Sequence, residues 1–404
     1  MKVRVQDMNV EKKTVLLRCD FNVPIQNGKI LDETKIVESL ETINYLQEHD
    51  CKIVILSHLG KVKSEEDKLK NTLEPVALRL SQLLGNPVSF SKQCRNIGLW
   101  DKVKQMKEKD ILLLENTRFE DYPQKLESSC DTQLSMYWAE LGDVFVNDAF
   151  GSSHRVHASV AGIAKYLPSG IGFLVQKELD ALTKYVLNPT HPFTVIMGGS
   201  KVDDKIQLIE AMLAKCDYLL LGGGIANGFL NALGLNPGFA SDSMNPALLT
   251  KLREMMFKNK EKIMLPLDAI VSRSYDPSVT EHKLINNIDA NDLIYDIGNK
   301  TIEKYSSVIK KSKTIFVNGT VGVYEDARFA NGTKEILSLI AKSDADTVIG
   351  GGDSVSSVVK FGFGKSMTYL SSGGGASLEF IVNEKLDALD YIPESGEENE
   401  ILDI

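Results

Sequence analysis

The chain has few cysteines and no long apolar run, and each absence excludes a class of protein. Five cysteines are scattered over 404 residues without a C-x-x-C pair, which argues against a disulfide framework and a zinc site. No stretch reaches the ~18 apolar residues that a membrane span requires. The opening segment MKVRVQDMNVEKK lacks the apolar core of a secretory signal. We therefore expect reduced thiols, a cytoplasmic location and no membrane binding.

An excess of basic residues is also missing. The chain has 46 Lys and Arg against 55 Asp and Glu, a net charge of −9, and such a surface repels nucleic-acid backbones. We therefore expect no nucleic-acid partner. The 43% hydrophobic and 25% charged residues are typical of a folded globular protein and exclude a mostly disordered one. The length allows two to three domains of ~100 to 200 residues.

Short apolar runs alternate with longer amphipathic segments along the whole chain. The runs occupy residues 14–19, 52–57, 110–116, 143–148, 193–199, 218–224, 262–268, 314–319, 346–352 and 367–375. Continuous hydrophobicity in runs this short indicates parallel strands that helices cover on both faces. Between two of the runs, Val76, Leu80 and Leu84 form a helical stripe that Thr72 caps and Gly85 ends. The pattern predicts an α/β fold with two Rossmann-like domains that each contain a parallel sheet.

The break between the two domains is predicted near Pro168-Ser169-Gly170. The helical segment VQKELDALTKYVL follows and ends before Asn188-Pro189, so we interpret it as a helix that bridges the domains. The predicted domains are 1–170 and 171–385, with a C-terminal segment over 386–404. The acidic end of that segment, PESGEENEILDI, is interpreted as a solvated tail.

Polar and cationic side chains follow the apolar runs of the first half. Ligands of open α/β sheets bind at the carboxyl ends of the strands, where this half places Arg18, Asp20, Asn22, His58, Lys61, Asn116, Arg118, Asp148, His154, Arg155 and His157. So many cations in an acidic protein predict a site for a small, multiply charged anion. A metal between His154 and His157 is not predicted, because only Asp148 lies near them as a further ligand.

Glycines follow the apolar runs of the second half, at 198–199, 222–224, 319, 322, 350–352 and 373–375. Glycine lets the backbone approach a phosphate closely, and helix N-termini attract negative charge, so these turns predict a nucleotide site. Lys201 and Lys205 are four residues apart, so a helix that opens here would carry both on one face near its N-terminus, where they are placed to contact phosphates. Asp353 is placed to hold Mg²⁺. No glycine turn matches a P-loop or a dinucleotide fingerprint.

These segments together resemble one family. The motifs that carry the resemblance are RCDFNVP (18–24), SHLGK (57–61), ENTRF (115–119), FVNDAFGSSHRVHAS (145–159), GGSKVDDK (198–205), GGGIAN (222–227), NGTVGVYE (318–325), GGGDS (350–354) and SGGGASLE (372–379). In this order they closely resemble phosphoglycerate kinases. The resemblance implies reversible transfer of the acyl phosphate of 1,3-bisphosphoglycerate to Mg-ADP, which gives 3-phosphoglycerate and Mg-ATP in glycolysis. It also implies a monomer.

The resemblance assigns roles to residues of both halves. The implied phosphoglycerate site comprises Asp20, Phe21, Asn22, Lys35, His58, Leu59, Gly60, Lys61, Arg118 and Arg155. The implied nucleotide site comprises Lys205, Gly222, Gly223, Gly224, Asn318, Glu325, Gly351, Gly352, Asp353 and Ser354, with Asp353 as the metal ligand. The implied catalytic set is Lys35, Lys201, Lys205, Gly373, Gly374 and Gly375. Because the two substrates belong to different halves, a hinge is expected to close and bring them together.

Three positions depart from the family pattern. Lys35 stands where the family usually has Arg, Thr320 where it usually has Pro or another apolar residue, and KLDALDYIPE replaces a Leu-Pro-Gly turn. Lys35 and the altered C-terminal segment motivate an alternative, a binding protein that keeps both ligand sites but has lost most turnover. A nicotinamide dehydrogenase is disfavoured by the missing fingerprint.

Overall fold

The computed structural model describes residues 1–235, 245–273, 279–289, 291–397 and 401–402. The chain divides into two compact units, Met1–Leu179 with Lys385–Ile404, and Asp180–Glu384. The predicted boundary after residue 170 differs from this division because Ser169–Ile171 forms a further strand of the first sheet. The predicted separate C-terminal segment joins the first unit. There Glu394 pairs with the Met1 amino group at 2.5 Å and with Lys2 at 3.1 Å.

The first unit contains a parallel six-stranded sheet. Its chain provides β1 (Thr14–Cys19), β2 (Ile25–Gln26), β3 (Lys29–Ile30), β4 (Lys52–Leu56), β5 (Val88–Ser91), β6 (Ile111–Leu114), β7 (Val144–Asp148) and β8 (Ser169–Ile171). The order across the sheet is β5-β6-β4-β1-β7-β8. Strands β2 and β3 form a separate antiparallel hairpin, whose turn residues Asn27 and Gly28 both have positive φ, as a two-residue hairpin turn of type I′ requires.

Helices cover both faces of this sheet. They are α1 (Thr34–Glu38), α2 (Leu40–Glu48), α3 (Glu65–Lys70), α4 (Glu74–Leu84), α5 (Gly98–Lys104), α6 (Thr132–Ala139) and α7 (Phe173–Leu182). Val15 and Leu17 belong to the core on one face, and Leu16 to the core on the other. Gly85 ends α4 in the left-handed conformation with φ of 66°, as predicted. The N-cap of α4 is Leu73, so the predicted cap Thr72 lies one residue earlier. The Thr72 hydroxyl still accepts from the Glu74 amide, at 3.3 Å.

The second unit repeats the parallel architecture and adds an antiparallel sheet. Its strands are β9 (Phe193–Met197), β10 (Tyr218–Leu221), β11 (Ile263–Met264), β12 (Asp268–Ser272), β13 (Glu281–Leu284), β14 (Leu293–Ile297), β15 (Thr314–Asn318), β16 (Asp346–Gly350) and β17 (Tyr369–Leu370). The parallel order is β11-β10-β9-β15-β16-β17, and the antiparallel order is β13-β12-β14. The antiparallel sheet was not predicted, because β13 is polar and largely exposed and gives no apolar run.

The helices of the second unit connect its strands. They are α8 (Ile206–Lys215), α9 (Gly223–Ala232), α10 (Pro246–Lys258), α11 (Asn299–Ile309), α12 (Asn331–Ala341), α13 (Gly352–Lys360) and α14 (Gly375–Asn383). The prediction of an α/β fold with two parallel sheets is confirmed. Helix α7 runs through the division between the units at Leu179. Within the described residues, no helix combines the length and the apolarity that crossing a bilayer would take.

Candidate active site

Arg18 and His58 meet at the carboxyl ends of the neighbouring strands β1 and β4. Arg18 is buried, its Nη1 donates to the Cys19 carbonyl, and its Nη2 lies 3.2 Å from His58 Nδ1. Burial lowers the pKa of His58 to about 3. At neutral pH this imidazole is therefore uncharged and offers hydrogen bonds rather than a positive charge.

Lys35 lies in the first turn of α1, and its side chain contacts the end of β1. Its Nζ is 2.9 Å from Asp20 Oδ2, while Asp20 Oδ1 accepts the Asn22 amide at 3.1 Å. Burial by itself would raise the pKa of Asp20, but the Lys35 ammonium and other neighbouring cations outweigh burial and lower this pKa to about 2. Lys35 is thus held at the site and does not simply extend into solvent.

A second cationic group follows strands β6 and β7. Arg118 Nη1 lies 3.3 Å from Asp121 Oδ2, and Arg155 is exposed. Burial, followed by the charge of Arg118, lowers the pKa of His157 to about 3. Within the described residues, the buried atoms Arg118 Nε, Thr117 Oγ1 and Ser152 Oγ have no hydrogen-bond partner. Buried polar groups rarely remain unpaired, so this region is suited to a polar ligand.

Not every predicted substrate residue faces this site. Phe21 is wholly buried and Leu59 nearly so, and both belong to the core. Their amides are already bonded, to Ser57 Oγ at 2.8 Å and to Asn116 Oδ1 at 3.1 Å. We therefore assign Phe21 and Leu59 a packing role, since apolar side chains are stabilised by burial.

The loop after β4 keeps its polar residues near the surface. The Gly60 amide donates to Asn22 Oδ1 at 2.9 Å, and Gly60 has a φ of +61°, which glycine adopts most readily. Lys61 is exposed. The loop is therefore fixed at Gly60 while the neighbouring cation remains accessible.

The second unit contains a cavity of about 770 Å³ at the carboxyl edge of its parallel sheet. Chain connections turn in opposite directions from β9 and β15, and such a switch point is the usual ligand site of an open sheet. The lining residues include Gly199, Lys201, Gly223, Gly224, Tyr295, Thr320, Gly322, Val323, Glu325 and Asp353. Several residues that the sequence assigns to the nucleotide site thus come together here.

The glycines at the start of α9 serve backbone packing. The Gly223 and Gly224 amides donate to Val321 O at 3.0 Å and Gly199 O at 2.6 Å, so neither amide is free for a phosphate. A Cβ on Gly224 would lie 2.1 Å from Ser200 O, which only glycine avoids. Gly223 and Gly224 therefore form a close-packed part of the cavity wall, and a Cβ on the preceding Gly222 would lie 2.5 Å from Val321 Cβ.

The glycines at the starts of α13 and α14 have different surroundings. A Cβ on Gly352, Gly374 or Gly375 would meet no described atom within 4 Å. Gly351 and Gly374 precede the two helices with positive φ values of 89° and 55°. Open space at a helix N-terminus suits an anion, so the anion-binding role expected of these turns stays a prediction.

Lys205 is bonded to the carboxyl ends of β9 and β15. Its Nζ donates to Gly198 O at 3.0 Å and to Asn318 O at 3.4 Å, and burial lowers its pKa. Ser354 Oγ accepts the Gly319 amide at 2.5 Å. The expected pairing of Lys201 and Lys205 on one helix face is wrong, because α8 begins only at Ile206. Lys201 instead lies in the cavity lining and is exposed.

Asp296 is a wall residue that the sequence analysis missed. It is 1% exposed and accepts the Gly332 amide at 2.6 Å. A Cβ on the cavity residue Gly322 would lie 2.1 Å from its Oδ1. Burial raises the pKa of Asp296 to about 7, although two backbone donors act in the opposite direction. No motif marks this aspartate, because its position depends on how β14 packs behind the loop 320–330.

The ionisation of Asp296 is expected to make stability fall as pH rises. An unfolded aspartate titrates near pH ~4, so between about pH 4 and 7 the unfolded chain loses this proton while the native protein keeps it. Relative to Asp296→Asn, the wild type is expected to lose about 1 to 4 kcal/mol of unfolding free energy over that range. Urea denaturation of both proteins from pH 4.5 to 7.5 measures this, and parallel pH profiles would contradict it.

Asp353 is a carboxylate of this cavity that could contribute to a metal site. It lies in the first turn of α13, is exposed and lines the cavity. The described residues contain no group of three or more His, Cys, Asp or Glu side chains that could hold a metal by themselves. A single carboxylate fits Mg²⁺, which is commonly bound by one or two carboxylates together with nucleotide phosphates.

Comparisons with known proteins agree with this arrangement. The family model described as phosphoglycerate kinase matches residues 5–384. A phosphoglycerate kinase of Fusobacterium nucleatum subsp. nucleatum is 43% identical over 397 residues, 97% of this chain and 99% of the relative. One from Enterococcus faecalis is 44% identical over 391 residues, 96% of this chain and 98% of the relative.

Solved structures give the same result. The phosphoglycerate kinase of Coxiella burnetii has a TM-score of 0.86 at 35% identity and covers 97% of this chain and 98% of its own. The phosphoglycerate kinase of Pyrococcus horikoshii OT3 has a TM-score of 0.83 at 33% identity, and the match covers 96% of this chain and 98% of that one. On its sequence, its two parallel sheets and the residues at their carboxyl edges, the chain belongs to the phosphoglycerate kinase family.

Proposed function

We propose that this chain catalyses reversible phosphoryl transfer from 1,3-bisphosphoglycerate to ADP, the phosphoglycerate kinase reaction of glycolysis. The observation that carries the proposal is the cavity of the second unit, which joins Lys201, Glu325 and Asp353 with a glycine wall. Family membership supports the same reaction. No observation favours the alternative of a binding protein without turnover, because Lys35 keeps a cation at the strand ends.

The first unit would hold the phosphoglycerate. Its polar and charged contacts are proposed to be Asp20, Asn22, Lys35, His58, Gly60, Lys61, Arg118 and Arg155. With pKa values of about 3, His58 and His157 are uncharged at neutral pH. They are suited to donating hydrogen bonds to the ligand, while the lysine and arginine side chains supply the positive charge.

The second unit would hold the nucleotide. The proposed contacts are Lys205, Gly222, Gly223, Gly224, Asn318, Glu325, Gly351, Gly352, Asp353 and Ser354. Lys201 and the α14 start at Gly373, Gly374 and Gly375 are proposed to face the transferred phosphoryl group, together with Lys35. Asp353 would hold Mg²⁺, which when bound neutralises charge on the nucleotide phosphates.

The chemistry requires positioning more than proton transfer. When 3-phosphoglycerate is the acceptor, its carboxylate is the nucleophile and is already ionised at pH 7. No general base is needed, and the low pKa values of His58 and His157 suit neither histidine to be one. The lysines and helix N-termini are proposed to stabilise charge on the moving phosphoryl group. A hinge movement, a monomeric state and a cytoplasmic location are part of the same proposal.

A coupled assay of ATP-dependent 3-phosphoglycerate phosphorylation with Mg²⁺ tests this function. Turnover in the usual enzyme range of ~1 to 10³ s⁻¹ is expected. Calorimetric titration with each ligand separately accompanies the assay. Binding of both ligands without turnover would instead support the alternative binding protein.

Arg155→Ala is expected to weaken 3-phosphoglycerate binding by about 1 to 3 kcal/mol, as loss of a charged hydrogen-bond partner does. Nucleotide affinity is expected to stay unchanged, because Arg155 belongs to the first unit. Calorimetry with each ligand measures both effects. An equal loss of ADP affinity would contradict the assignment of the two ligands to separate units.

A further inference from the structure

Glu127 is a buried carboxylate of the first unit, in the segment that follows Arg118. It is wholly buried, and its two oxygens accept both donors of Ser159. The Ser159 hydroxyl is 2.5 Å from Oε1, and the Ser159 amide is 2.9 Å from Oε2. Glu127 lies in the segment between β6 and α6, whereas Ser159 follows His157, so the contact joins parts of the chain that are distant in sequence.

Ser159 also connects Glu127 to Arg18. Because the Ser159 hydroxyl gives its proton to Glu127, its oxygen is free to accept. Arg18 Nε donates to it at 2.8 Å. Arg18 is 1% exposed, and a buried cation is costly unless an anion lies nearby. Glu127 supplies that anion through the hydroxyl.

The chain of hydrogen bonds ends at His58. A guanidinium has donors and no acceptor, so at the 3.2 Å contact Arg18 Nη2 must donate and His58 Nδ1 must accept. The pKa of His58, about 3, keeps the ring neutral. A neutral ring that accepts at Nδ1 carries its proton on Nε2.

We propose that Glu127 and Ser159 are positioning residues that, through Arg18, hold His58 in the tautomer protonated at Nε2. In that tautomer His58 donates a hydrogen bond to an anionic oxygen of the substrate. The tautomer depends on this chain alone, while the effect on phosphoglycerate rests on the proposed function. We name the connected side chains Glu127, Ser159, Arg18 and His58 the carboxylate relay.

Kinetics of Ser159→Ala and Glu127→Gln test the relay. Ser159→Ala removes the acceptor for Arg18 Nε, and Glu127→Gln keeps the shape but removes the charge. Each variant is expected to raise KM for 3-phosphoglycerate about tenfold, which corresponds to about 1.4 kcal/mol, and to leave the nucleotide KM unchanged. Ser129→Ala is the matched control, because Ser129 is exposed in the same segment and bonds only weakly, at 3.4 Å, to Leu126 O.

Nitrogen-15 NMR of the His58 ring, recorded without substrate, provides a readout that loss of stability would not imitate. The wild type is expected to show a neutral ring protonated at Nε2, and Ser159→Ala a shift toward the Nδ1 tautomer or a mixture. If Glu127→Gln does not fold, Ser159→Ala gives the same test. A wild-type ring protonated at Nδ1, or relay variants with the kinetics of Ser129→Ala, would overturn the proposal.

The outcome also separates the relay from the proposed function. If the wild type has no turnover but its His58 ring has the Nε2 tautomer, the proposed function fails and the tautomer assignment stands. In that case calorimetric binding of 3-phosphoglycerate to the wild type and Ser159→Ala replaces KM. Equal affinities would overturn the effect on the substrate.

Discussion

Lys35→Ala is expected to lower kcat by about 10²-fold, the scale found when a group that stabilises transition-state charge is removed. Lys35 is held at the end of β1 by Asp20, with 2.9 Å between Nζ and Oδ2. Its loss removes a cation from the proposed transfer site and leaves Asp20 without this partner. Steady-state kinetics with both substrates measure the effect. Lys29→Ala, an exposed lysine on β3, is the matched control.

Lys35→Arg is expected to change kcat in the opposite direction. Arg can share its planar fork between two oxygens of the moving phosphoryl group, whereas Lys offers a compact and strongly hydrated charge. The expected rise is up to roughly tenfold, for ~1.4 kcal/mol of added transition-state stabilisation, with little change in nucleotide KM. If Lys35→Ala keeps the wild-type kcat and kcat/KM, Lys35 has no catalytic role.

Asp353→Asn is expected to lower turnover by at least about tenfold, the lower end of the effects seen when groups that support a bound metal are removed. The substitution removes the charge of the carboxylate that lines the cavity of the second unit at the start of α13. Affinity for 3-phosphoglycerate is expected to stay nearly unchanged, because Asp353 belongs to the other unit. Kinetics at several Mg²⁺ concentrations, with separate ligand titrations, measure both effects.

The control for this variant lies at the other end of the same strand. Asp344 is exposed and precedes β16, whereas Asp353 follows it, so Asp344→Asn makes the same chemical change far along the strand from the cavity. Asp344→Asn is expected to keep wild-type turnover. An equally large loss of 3-phosphoglycerate binding in Asp353→Asn would contradict the assignment of ligands to units.

The parallel strands could be predicted because their signal is local. Strands such as β1 and β9 are buried almost throughout, so their sequences are continuous apolar runs whatever packs against them. The motifs at their carboxyl ends were visible for the same reason, since each lies within a few residues of its strand. The polar strand β13 has no such signal, and the small antiparallel sheet went unpredicted.

The sequence by itself determined the fold class, the family and the strand ends at which the proposed ligand residues lie. Only the tertiary structure decided what each side chain does there. It placed Phe21 in the core, bonded the amides of Gly223 and Gly224 within the protein, and brought Glu127 to Ser159 and Asp296 behind the cavity. The physical reason is that strand and helix signals arise from neighbouring residues. Burial, pKa values and hydrogen-bond partners depend on groups that meet only when the chain has folded.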